Sequence, residues 1–329
     1  MISCTEFIPS YSELFSFLDE NYGFEEVQAY WNDIFDPERD GILNRRVREQ
    51  GLRGCFVYWN YSLNEEAADF RMMLNEEDGW FTIEMRRCPS KGRLMEMKQL
   101  RPYDRYCLHC DLYRKTVEKY GLRYDYDFTK TDKAQCSILI CDPKVYKGTR
   151  VLTPRTIVVD RREGDNRYLH REFHNYLNMG VDYLGRRFGR EAVEKYLARF
   201  ARNYHRPLID EIREEGLAPL EAFLRRTYEA EEAPDLLHTE RTRDSLEVRV
   251  DACPAVRYLK DAGWEVSQWY FLTTQSVMKT VAEESGYAFS MIGYDPVSGA
   301  ANYVFRGENG ADGGQGEITD LKSRGEHIK

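Results

Sequence analysis

The chain has 329 residues, 42% hydrophobic and 31% charged, the balance of a soluble globular protein with room for two cores of ordinary size. Its formal net charge of −9 at pH 7 offers no counterion-releasing basic face, which disfavours a nucleic-acid partner; the basic run "RRVREQGLR" reads as the solvated side of a helix. No apolar run approaches the length of a membrane span, "MISCTEFIPSYSELF" lacks the pattern of a secretory signal, and eight irregularly spaced cysteines read as reduced thiols. The expectation is a cytoplasmic protein with no disulfides, membrane contact or nucleic acid.

In chain order, the strand "WFTIEMR" ends at Cys88-Pro89, a helix in "LHCDLYRKTVEKYG" stops at Gly121, and the strands "YDYDF" and "CSILICD" follow. Residues 143–166 read as an inter-copy strand plus linker. "RYLHREFHNYL" reads as helical. The helix "GREAVEKYLARFARNY" is apolar at Val193, Tyr196, Leu197 and Phe200, at period 3.6. Another runs through "PLIDEIREEG", with Pro207 in its first turn and Gly216 as its C-cap. The strand "SLEVRVD" ends at Cys253-Pro254, the helix "TTQSVMKTVAEESG" stops at glycine, and the strands "YAFSMIGYD" and "ANYVFR" close the series. From Gly307 the tail is Gly-rich, charged and nearly free of large apolar groups, and should be disordered.

The two halves repeat each other. "CPSKGRL" at Cys88 returns as "CPAVRYL" at Cys253, an offset of 165 that also matches Gly51-Leu52 with Gly216-Leu217 and Gly121 with Gly286. "NYGFEEVQAYW" returns as "RFGREAVEKYL" at an offset of 166. The fold class expected is α+β, two tandem repeats of a helix-helix-strand-helix-strand-strand unit with small, mostly antiparallel sheets. The segments are 1–147 and 167–306, joined by a linker at 148–166 and followed by the tail at 307–329. A pseudo-symmetric monomer and a homo-oligomer are both compatible with this reading.

Two clusters carry chemistry. On a helix, His170 and His174 share one face, the geometry of two zinc ligands, and Glu172 lies between them. A third ligand would come from Cys253, Asp182 or His205. The alternatives are a general base for water and a structural pair. In "YCLHCD", Cys107 and Cys110, with His109 and Asp111, stand at an expected helix N-terminus that would lower a thiol pKa; the alternatives are a metal site of three or four thiolates with Cys88 and Cys136, at spacings that match no zinc ribbon, and buried packing. Cys88 and Cys253 at the strand ends, and Thr273 and Thr274 at a helix start, are candidate substrate contacts, N-capping being the default for the hydroxyls. No phosphate-cradling loop precedes a helix, so no nucleotide cofactor is expected; zinc or another divalent metal stays open.

Cys88-Pro89 after a strand, "YCLHCD" with Cys107 and Asp111, and Cys136 in "DKAQCSILI" together resemble the L-2-amino-thiazoline-4-carboxylate hydrolase family and, more distantly, the 4-vinyl reductase domain group. The second copy matches only at Cys253 and Pro254. The hydrolase resemblance implies a hydrolase acting on a C–N bond of a small, cyclic amidine or related nitrogen compound, opening the ring with water. The other resemblance implies a small-molecule sensor or carrier without turnover.

Overall fold

The computed structural model describes residues 1–39 and 41–307, so the tail expected to be disordered lies, beyond Gly307, outside the described residues. The fold is α+β, with two antiparallel sheets of five and four strands among the described residues. The chain divides into two compact units, one of Leu18–His170 and one formed by Met1–Phe17 together with the chain from Arg171 onward. These are not the segments 1–147 and 167–306. The stretch 148–166 stays with the preceding unit by adding a strand to its sheet, and the first seventeen residues side with the C-terminal elements. Helix α1 (Phe7–Tyr22) crosses the division at Phe17.

In the unit Leu18–His170, α2 (Phe24–Ile34) and α3 (Ile42–Glu65) lead to the hairpin β1 (Asp69–Asn75) and β2 (Trp80–Arg87). Helix α4 (Pro89–Glu96), a 3-10 segment (Tyr106–Leu112) running into α5 (Tyr113–Lys119), β3 (Arg123–Asp127), β4 (Cys136–Cys141) and β5 (Ile157–Arg161) follow. The strand order is β3-β4-β2-β1-β5. Helix α3 bends at Gly51 (φ 55°) and lays Cys55, Phe56 and Trp59 over Phe70, Met72, Phe81, Ile83 and Ile140 of the sheet. Burying each such large side chain contributes about 1.5–3 kcal/mol.

The other unit holds α6 (Phe173–Phe188), α7 (Arg190–Tyr204), α8 (Arg206–Glu215) and α9 (Ala218–Ala230), then β6 (Leu237–Arg241) and β7 (Ser245–Val250). Helices α10 (Pro254–Asp261) and α11 (Leu272–Glu284) lead to β8 (Ala288–Tyr294) and β9 (Ala301–Arg306), and the strand order is β6-β7-β9-β8. Val193, Tyr196, Leu197 and Phe200 of α7 are all buried, as their spacing predicts, and α7 packs on α11. Helix α8 carries Pro207 in its first turn and ends at Gly216, whose positive φ of 77° glycine adopts without strain.

The two sheets share one order, a hairpin followed by the last strand and then the third, with β5 added outside β1 in the first. Helices α4 and α10 each begin at a proline behind a cysteine N-cap, 165 residues apart. The sequence reading omits, among others, β1, β6, α1, α4, α9 and α10. Strand β1 is buried over its last four residues in succession and so shows no alternation, and α4 and α10 are eight residues each, too short for a periodic signal.

Candidate functional site

The stretch "HREFH" is not one helical face. Helix α6 begins at Phe173, with Arg171 and Glu172 in the turn before it, so His170 lies outside the helix and His174 in its first turn. The backbone N–H of Leu169 donates to the Glu65 carbonyl (2.9 Å), which ties the segment before the turn to the end of α3. His170 is buried, its Nδ1 2.7 Å from the Glu65 carboxylate. His174, inside α6, has a different acidic partner, Glu231, so helical spacing does not put the two histidines on a shared face. Glu172, the N-cap residue of α6, makes no capping bond with its side chain.

Glu231 sits just past α9, where the chain turns through Glu232 at φ 57°, a conformation that costs a residue with a Cβ. Its carboxylate accepts hydrogen bonds from Ser3 Oγ (2.7 Å), the Cys4 backbone N–H (2.7 Å) and His174 Nε2 (3.0 Å). Burial opposes its ionisation, but the His174 ring and these three donors outweigh burial and hold the carboxyl at about 2. Facing an ionised carboxylate, His174 Nε2 carries the proton. His174 Nδ1 is buried and has no hydrogen-bond partner among the described residues. Burial pushes the Cys4 thiol far above its ordinary range, and the Glu231 charge adds to the effect. Cys4 Sγ, one His174 nitrogen and one Glu231 oxygen all lie within 4.8 Å of one another, a donor set able to hold a metal.

Glu231 also lies in the wall of an open cleft of about 500 Å³, lined by Arg171, Glu232, Leu236, Pro254, Arg257, Tyr258 and Asp261 among others. Arg171 is paired with Glu232 at 2.5 Å. The exposed Arg257 guanidinium has no ion pair or hydrogen bond among the described residues.

The second cluster is brought together, in different surroundings from those expected. Cys88, Cys107, Cys110 and Cys136 line one pocket of about 40 Å³ with Lys91, His109 and Tyr126, supplied by the cap of α4, the 3-10 segment and β4. "YCLHCD" is a 3-10 turn and not the start of an α-helix, so no helix dipole favours thiolates there. Burial instead raises all four thiols, Cys136 to about 12. Burial lowers His109 to about 4, its Nδ1–H bonded to the Tyr106 carbonyl. Asp111 is held in an ion pair with Arg114 at 2.7 Å.

The other candidates fall elsewhere. Helix α11 has Phe271 as its cap residue with no side-chain capping bond, and the buried Thr273 hydroxyl donates to the Tyr270 carbonyl (2.7 Å), so N-capping by Thr273 or Thr274 does not occur. Cys253 caps α10 and is buried, its Sγ 3.4 Å from Met1 Sδ. Asp182 pairs with Arg186 and accepts from Ser267. His205 is buried among Phe200, Tyr204 and Phe223. None of these three joins the Cys4–His174–Glu231 group.

Burial lowers His205 to about 3, so between pH 6.5 and 3 the unfolded chain takes up a proton that the folded one refuses. Stability from this group is complete above 6.5 and falls by at most about 1.4 kcal/mol per unit as pH drops through that window. Urea unfolding of His205→Gln against the parent chain should show the variant's relative stability improving steadily from pH 6.5 to 4. A pH-independent difference would contradict the burial of a neutral imidazole.

Sequence reasoning missed Glu231 and Arg257. One signal for Glu231 was present, since Glu66 stands at the 165-residue offset from it, within "NEEA" at 64–67 and "AEEA" at 230–233, which match one residue out of that register. Ala67 and Glu232, each following one of these glutamates, both have positive φ. No family model, curated protein or solved structure matches the chain.

Proposed function

We propose that the chain is a hydrolase acting on a C–N bond of a small, cyclic amidine or related nitrogen compound that carries a carboxylate, with the cleft over Glu231 as its active site. The observation that supports this reading is the buried, ionised Glu231 joined to His174 in the wall of a cleft whose rim bears an arginine with no ionic partner among the described residues. A guanidinium binds a carboxylate through two parallel hydrogen bonds, which would orient the ring. The Cys4–His174–Glu231 group then handles the proton of an added water. The water oxygen bonds to the amidine carbon while one water proton passes through the group to the ring nitrogen; collapse of this adduct breaks the ring C–N bond, the second water proton follows to the same nitrogen, and a carbonyl and an open-chain amine result. The resemblance carried by the Cys-Pro motifs implies the same reaction class. The shared strand order and the cysteine-capped α4 and α10 support a tandem duplication as its scaffold.

A second reading, a sensor or carrier without turnover, follows from the more distant resemblance to 4-vinyl reductase domains and would use the same cleft as its ligand pocket. Incubation with 2-aminothiazoline-4-carboxylate and related cyclic amidines separates the two. The hydrolase reading predicts ring-opened product, with Arg257→Ala raising KM about 10–100-fold at nearly unchanged kcat, the loss of one charged hydrogen-bonding contact in ground state and transition state alike. No product from any of these compounds, with a ligand-dependent rise in Tm, would replace that reading with the sensor.

A further inference from the structure

We propose that Cys4, His174 and Glu231 form a binding site for one divalent metal ion of the zinc class. The three residues supply a thiolate, an imidazole nitrogen and a carboxylate oxygen, the ligand types that zinc accepts in tetrahedral sites. Ligand atoms around such an ion, at bond lengths of about 2.0–2.3 Å, stand roughly 3.3–3.8 Å apart. The donor atoms here already lie within 4.8 Å of one another, so small side-chain rotations would close the set. All three side chains are at least nine-tenths buried, at 0% for Cys4, 1% for His174 and 3% for Glu231. His174 Nδ1 is buried with no hydrogen-bond partner among the described residues, an orphaned polar atom of the kind that a bound ion accounts for.

The charges balance. The ion displaces the Cys4 thiol proton, which leaves for solvent, and the thiolate with the Glu231 carboxylate neutralises the two positive charges. Ser3 Oγ and the Cys4 N–H remain donors to Glu231 and fix its orientation, as outer groups do around metal carboxylates. Three protein ligands leave a fourth position for water, the pattern of a catalytic site and not of a closed structural one. That catalytic role rests on the hydrolase reading of the cleft; the binding of the ion does not.

The test uses the full chain, purified without a histidine tag, stripped of metal and titrated with Co²⁺ as a spectroscopic substitute for zinc. One equivalent per chain is expected, with a thiolate-to-cobalt charge-transfer band that disappears in Cys4→Ser while weaker binding persists. His174→Ala should weaken binding at least 100-fold, and Cys107→Ser/Cys110→Ser should leave the titration unchanged. Circular dichroism establishes that each variant is folded, and His174→Gln is the substitute should the alanine variant unfold. No binding by the folded parent chain, or a band that survives Cys4→Ser and vanishes in the Cys107→Ser/Cys110→Ser variant, would overturn the proposal. Stoichiometric binding without turnover of any cyclic amidine would uphold the metal site and remove the hydrolase reading. Turnover by metal-free protein would uphold the hydrolase reading and remove the ion's catalytic role, with binding decided by the titration alone.

Discussion

Glu231→Ala is expected to lower the stability of the unit that contains it by about 3–5 kcal/mol, the usual result of removing one partner from a buried charged network. The carboxylate accepts hydrogen bonds from Ser3 Oγ, the Cys4 N–H and His174 Nε2, and alanine would remove this buried acceptor from all three, with Thr5 Oγ1 still within reach of Ser3 Oγ. Glu231→Gln keeps the volume and can still accept through its amide oxygen, so it should cost less than alanine while removing the charge. Chemical denaturation of both variants checks this. Equal losses for alanine and glutamine would mean that only the charge matters, and losses below 1 kcal/mol in both would mean that the network is not a structural element.

Gly54→Ala should be comparably damaging for an unrelated reason. Helix α3 bends at Gly51, and the two arms meet so closely that a Cβ on Gly54 would fall on the backbone carbonyl of Arg46. A backbone carbonyl cannot swing away as the end of a lysine can, so the arms must separate. Overpacking of this kind costs about 1–3 kcal/mol or more, and separation of the arms would also disturb Cys55 and Phe56 over the sheet. Gly164, where a Cβ meets nothing and φ is not positive, is the matched control and should tolerate alanine within about 0.5 kcal/mol. A Gly54→Ala protein as stable as the Gly164→Ala protein would show that the bend is looser than described.

The extent to which the sequence foretold this fold follows from how local each signal is. The period of α7, the proline and glycine bounding α8, and the alternation along β7 are written within a dozen residues, and all three elements stand where those patterns put them. Strand β1 carries no alternation because its neighbours cover it on both faces. The histidine spacing misled for a related reason, since i and i+4 mark a face only inside a helix and nothing in "RYLHREFH" marks where α6 begins. Thiol chemistry at "YCLHCD" was inferred from a helix dipole that a 3-10 turn does not supply, and burial decided the outcome instead. The Glu231 network joins residues 227 positions apart in sequence, a juxtaposition that no local pattern reports. Only Glu66, at the repeat offset from Glu231, pointed toward it.

The measurement that bears most directly on the cleft as a hydrolytic site is product analysis of 2-aminothiazoline-4-carboxylate turned over in ¹⁸O-water, with the parent chain beside Arg257→Ala. The account predicts a ring-opened product carrying one solvent oxygen, formed by the parent at low substrate and by the variant only at much higher concentration. Intact substrate after prolonged incubation with folded parent chain, or identical concentration dependence in the two proteins, would contradict it.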